Sequence, residues 1–450
     1  MMHGVSKSIC GAVLGLALGF ASQGGWGDAL PKGWQAKNVE PMGYVKLDGP
    51  RAFKLSIARR GERWYLFVGQ GHGREGSGVP GFNVVDVSDP TQPKVVTGVH
   101  IPGASGQISL HGNLLVVGEQ IPFSEAAPGS SIEYPFRNTT ATERTLASFW
   151  DVTDPRRPKR LSEWRPRGFG THRNVYPGGN YAFMSAWLEG YRGQAILTIL
   201  DVSKPREPRE AGRWWWPGQR EDETLYEPAP GYHGPANLSS DGRMLTLGYT
   251  PGIVNLDVSD IAKPKLIGKL VFSPLAKVGT QAIHTVIPLP NGFLHVNTEP
   301  SAPGCDDESL PFAAIVDNSD PVNPRLVSYY PRPRPPEGAR YASFCAKGGR
   351  FGPHNVNAEI HSPDAQAPRD LIFMTYFTAG LRVFDITEPH VPFETGWFLP
   401  EIGAWSEGLR GPEDVLVDAR GIIYTSTGRG QGVWILNYVG PRAGSLKPSF

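Results

Sequence analysis

The chain has 450 residues, enough for one large repeat fold or for two or three ordinary domains. Its 55 glycines and 43 prolines make up more than a fifth of the residues, a composition suited to many turns and ill suited to a helical protein. Net charge is +1 with both signs scattered, which leaves no basic stripe to hold a phosphate backbone and argues against a nucleic-acid partner.

Residues 1–30 read as an export signal. Lys7 precedes the apolar, small-residue stretch Ile9–Phe20, and Ala21-Ser22-Gln23 opens a Gly-rich segment in which cleavage is expected. The apolar core is too short to span a bilayer, and no later stretch reaches that length, so no integral membrane segment is expected. A periplasmic or secreted protein follows, with residues 31–450 as its one domain. Cys10 would leave with the signal, and Cys305 and Cys345 remain as an even pair open to a disulfide.

After a spare strand at Met42–Leu47, a phrase begins to recur: an apolar run, an acid and a proline turn. It reads FNVVDVSDPTQP at Phe82–Pro93, SFWDVTDPRRP at Ser148–Pro158, LTILDVSKPREP at Leu197–Pro208 and IVNLDVSDIAKP at Ile253–Pro264. It returns as AAIVDNSDPVNP at Ala313–Pro324 and LRVFDITEPHVP at Leu381–Pro392, and a final copy, GVWILNYVG at Gly432–Gly440, keeps only the strand. In each turn the acid can accept local backbone N–H bonds while proline fixes φ.

Units begin near Ala52, Ser105, His172, His233, His284, His354 and Glu413. Each reads as four short strands; in the fifth they are His284–Leu289, Phe293–Asn297, Phe312–Asp317 and Arg325–Tyr330. The seventh has three, Glu413–Val417, Ile422–Thr425 and Val433–Tyr438. The pattern predicts an all-β, seven-bladed β-propeller whose N-terminal strand, Met42–Leu47, closes the last blade.

The phrase, best kept at Leu381–Pro392 and Phe82–Pro93, resembles the LVIVD-repeat family of β-propeller proteins over nearly all of the chain beyond residue 50. The resemblance implies fold and bacterial export and supplies no activity, since propellers carry many.

The innermost strand of a blade starts beside the central channel, and four consecutive blades place a histidine there: His172, His233, His284 and His354. Imidazoles suit a transition metal, so these four are the expected ligands, with Fe2+ first and Cu or Zn as alternatives. Lys54, Gln107 and Glu413 or Asp414 align at the same address in the other blades. Glu119, Glu299 and Glu413 share that face and are expected to accept the far N–H of a liganding imidazole. His72 is a candidate proton carrier and Glu413 a second catalytic group. The long insertions 120–145, 217–230, 301–310 and 331–353 also fall on this face, and 360–369 is the one clear insertion on the other. Trp187, Tyr226, Tyr341 and Tyr376 are candidates to line a pocket for a small apolar or aromatic substrate.

In layout alone, four axial histidines are similar to the carotenoid-cleavage oxygenases and to the selenium-binding proteins, which implies metal-dependent oxidation. Metal-assisted hydrolysis, lactonase-like, stays open. So does a secreted binding propeller with a structural ion, whose long loops meet a protein partner.

Overall fold

The computed structural model describes residues 34–71, 80–121, 139–193, 195–224, 230–272, 283–300, 305, 311–400, 411–427 and 432–446. Its sheets are seven antiparallel blades in chain order, an all-β propeller. The first is Ala52–Arg60, Arg63–Gln70, Gly81–Asp86 and Lys94–His100, each strand pairing with the next. Middle strands such as Gly81–Asp86 are buried nearly throughout, because a neighbouring blade covers each face; this is why the repeated phrase is an unbroken apolar run. The outer strand Lys94–His100 is mostly exposed and starts on a lysine, which protects an open sheet edge.

The repeated acid anchors the turn out of that middle strand. Asp86 Oδ1 accepts the Ser88 N–H at 3.1 Å and the Ser88 hydroxyl at 2.6 Å. Asp151 with Thr153 and Asp385 with Thr387 repeat the arrangement. Blades meet through apolar layers; the layer between the last and first joins Leu416, Tyr424 and Ile435 to Leu55, Leu66 and Val85.

The ring closes as the sequence predicts. Val39–Val45 pairs antiparallel with Gly432–Tyr438 and becomes the outer strand of the seventh blade. Gly432 makes this approach possible: its φ is 109°, and a Cβ there would stand 1.8 Å from the Val45 carbonyl oxygen. An addition the sequence does not announce lies just before, where Gln35–Lys37 pairs with Phe393–Leu399 on the outer edge of blade six. That blade has lost most of its innermost strand, which survives as one bridge between Val356 and Met374.

Cys305 and Cys345 are bonded, with Cα atoms 5.6 Å apart, tying the loop beyond blade five's second strand to the short helix Phe344–Lys347. Among the described residues no helix is long and apolar enough to cross a membrane.

Candidate metal centre on the propeller axis

Several innermost strands are irregular where they approach the axis. Register shifts interrupt Ala52–Arg60 between Ala52 and Leu55, Ala104–His111 between Ala104 and Ile108, and Arg167–Val175 between His172 and Val175. An extra residue at such a point turns a side chain that would otherwise alternate outward. Lys54, Gln107 and Arg173 all occupy these irregularities, and Arg173 takes the left-handed conformation at φ 55°. The backbone is locally distorted where it faces the channel.

The four predicted histidines come together. Ring centroids of His172 and His233 are 5.1 Å apart, His233 and His284 4.8 Å, and His284 and His354 4.5 Å. His233, His284 and His354 are buried, and His172 is partly so. Burial and the nearby guanidinium of Arg173 push His172 down to about 3 and hold the other three well below the ordinary imidazole range. All four are therefore neutral near neutrality, the state in which imidazole nitrogen binds a metal.

The donor atoms that gather most closely are not four imidazoles. His233, His284 and Glu299 place one ligand atom each within 4.8 Å of the others, so a carboxylate joins two imidazoles. Glu299, expected to support a ligand, stands among the ligands, while His172 and His354 flank the group. Glu299 Oε2 lies 3.7 Å from His284 Nε2 and 3.5 Å from His354 Nε2. Arg350 donates to it at 2.7 Å and also to the Pro300 carbonyl, which fixes the carboxylate from the loop side.

The His354 tautomer follows from its hydrogen bond: Nδ1 donates to the Glu413 carbonyl at 2.6 Å, so its Nε2 lone pair faces Glu299. His284 Nδ1 lies 3.1 Å from the His354 carbonyl and 2.8 Å from the Thr285 hydroxyl, with the Arg173 guanidinium also against it. Glu413 thus holds a histidine by its main chain, while its carboxylate pairs with Arg51 at 2.5 Å.

The residues present fit a divalent transition metal. Among the described residues both ring nitrogens of His233 are buried without a hydrogen-bond partner, a penalty that an ion would relieve. Two imidazoles and a carboxylate are a donor set for non-haem Fe(II) and for catalytic Zn. One group competes. Arg173 Nη2 sits against both ring nitrogens of His284, and Nη1 donates to Asn355 Oδ1 at 2.7 Å, so an ion taking His284 Nε2 displaces a guanidinium. Sequence reasoning missed Arg173, because its inward direction depends on the left-handed backbone at that residue.

The remaining expectations divide. Glu119 does not reach an imidazole: it bonds Ser148 and faces Glu163, Arg160 and Arg165, and burial raises its pKa. Trp187 is placed against the cluster, 6.1 Å from His172. Tyr376 turns into the core against Phe351, and its neighbour Phe377 takes the place beside His354 at 4.5 Å. Tyr341 packs on Phe344 at 5.5 Å, within the disulfide-tied loop. Phe53, 6.0 Å from His354 and 6.4 Å from His172, is an aromatic neighbour that no motif singles out. His72 and Tyr226 lie outside the described residues.

Comparisons with known proteins agree with the architecture. The LVIVD repeat profile matches residues 78–100, in the first blade. No curated protein matches the chain. A solved protein from Lactobacillus plantarum is similar with a TM-score of 0.54 at 10% identity, covering 83% of this chain and 99% of its own. A functionally unknown protein from Desulfotomaculum acetoxidans DSM 771 has a TM-score of 0.46 at 10% identity, covering 80% and 88%. At such identity the first likeness speaks for the fold alone.

Proposed function

We propose that the chain is a metal-dependent oxidoreductase that acts on a small apolar or aromatic compound at the propeller axis. Fe2+ is the first choice of ion and Cu or Zn the alternatives, with His233, His284 and Glu299 as its ligands. The observation that carries this reading is the mutual approach of those three donors around a buried imidazole that has no hydrogen-bond partner among the described residues. An ion held there would supply dioxygen-linked oxidation.

The chain's own groups do the rest. Arg350 orients the Glu299 carboxylate, and the Glu413 carbonyl fixes the His354 tautomer, leaving its Nε2 lone pair directed at the site. Phe53, Phe377 and Trp187 form an apolar surround that favours a substrate of like character and keeps water away. The disulfide and the leader-like residues 1–30 support a periplasmic or secreted setting.

Metal-assisted hydrolysis is the second reading, favoured by the same two imidazoles and carboxylate. Elemental analysis of the purified protein is the first test. Near-stoichiometric Fe, Cu or Zn is expected, falling in His233→Ala, His284→Ala and Glu299→Gln. Arg173→Gln, which removes the cation beside His284, is expected to tighten metal binding. Oxygen uptake with phenols, styrenes, thiols and lactones then separates the chemistries: lactone cleavage without oxygen consumption selects the hydrolase. Absence of bound metal under every supplement leaves a binding propeller.

A further inference from the structure

The axis has a second chamber at its other end, on the face of the acid–proline turns. Lys54, Arg173 and Glu359 are its charged lining, and Val175, Pro235, Ala358 and Ile360 supply apolar wall. The wall from blade six belongs to the one long insertion that the sequence places on this face. That insertion is fastened over the axis: Asp364 Oδ2 accepts the Arg59 N–H at 2.8 Å, and Ala365 bridges to Asp418. Half-exposed Tyr176, His361 and Ser362 also line the chamber.

Its two cations differ in how they are balanced. Lys54 has Glu359 at 3.1 Å and Asp414 at 3.3 Å. Arg173 is only 5% exposed, yet among the described residues no carboxylate lies within ion-pair distance of it. Its Nε is buried without a partner. A buried cation in that condition is costly unless an anion compensates it. Glu299 in the histidine chamber and Asp414 act on Arg173 through space without bonding it, which leaves Nε open to an anion from the second chamber.

We propose that this chamber binds a small monocarboxylate, its headgroup toward Arg173 Nε and Lys54 and its short apolar tail along Val175, Pro235 and Ile360. None of the residues proposed to hold the ion lines this chamber. Titration calorimetry of the whole protein with propionate tests it, with propionamide, inorganic phosphate and chloride as the other arms. Saturable propionate binding near a millimolar Kd is expected, with propionamide at least about tenfold weaker. Ile360→Trp, which fills the chamber from a half-exposed loop, should abolish binding, and His233→Ala at the other end should preserve it. Propionamide binding as well as propionate, tighter phosphate binding, persistence in Ile360→Trp, loss in His233→Ala or no saturable binding would each overturn the assignment.

Discussion

At the scale of the residue, His295 shows what burying an imidazole does away from any ligand set. It is fully buried in blade five, its Nε2 donates to Asn297 Oδ1 at 2.8 Å, and burial lowers its pKa from 6.5 to about 4. The unfolded chain then binds the extra proton between those values. The resulting stability is present above pH 6.5 and is lost as pH falls toward 4. At pH 4.5 the loss from this one residue should be about 2–3 kcal/mol, and His295→Gln should remove that share of the acid dependence. Urea unfolding at pH 7 and pH 4.5 measures it; an unchanged acid slope in the variant would show that burial does not set this pKa. The axial histidines were legible because a repeat puts equal addresses at equal offsets. Glu299 and Arg173 were not. The carboxylate reaches its place through a loop pinned by Arg350, and the guanidinium through a backbone conformation that composition cannot announce.

At the scale of the element, the repeated acids are not equivalent. Asp257 accepts the Ser259 N–H at 2.9 Å, whereas buried Asp385 serves Thr387 and also pairs with Arg442 at 2.6 Å. Asp385→Ala should lower stability by about 2–3 kcal/mol and Asp257→Ala by clearly less, because buried Asp385 also loses its bonds to the Thr387 hydroxyl and to Arg442. Equal midpoint shifts in urea would mean that the turn alone matters. Gly432 tests closure. Gly432→Ala puts a Cβ into the Val45 carbonyl at a φ of 109°, and should lower the melting temperature of the whole ring, as should deletion of residues 34–46. A melting temperature unmoved by both would refute closure by this strand. The strands themselves were readable from the period and the turn chemistry. The added Gln35–Lys37 was not, because a three-residue edge strand has no periodicity to read.

At the scale of the whole molecule, the disulfide and the site form one mechanical unit. Glu299 lies before Cys305, Arg350 lies after Cys345, and the two side chains bond at 2.7 Å. Replacing both cysteines by alanine should lower unfolding free energy by about 2–4 kcal/mol and reduce metal retention, read by urea melts and elemental analysis. Full retention would show that Arg350 finds Glu299 unaided. Ring closure by an N-terminal strand also orders events in time. Val39–Val45 leaves the ribosome 393 residues ahead of Gly432–Tyr438, its only partner in the seventh blade. At roughly 5–20 residues per second that is a wait of about 20–80 s with an open strand edge. A strand made near the start of the chain is thus among the last to be paired, and the ring can lock only after nearly the entire chain has been synthesised.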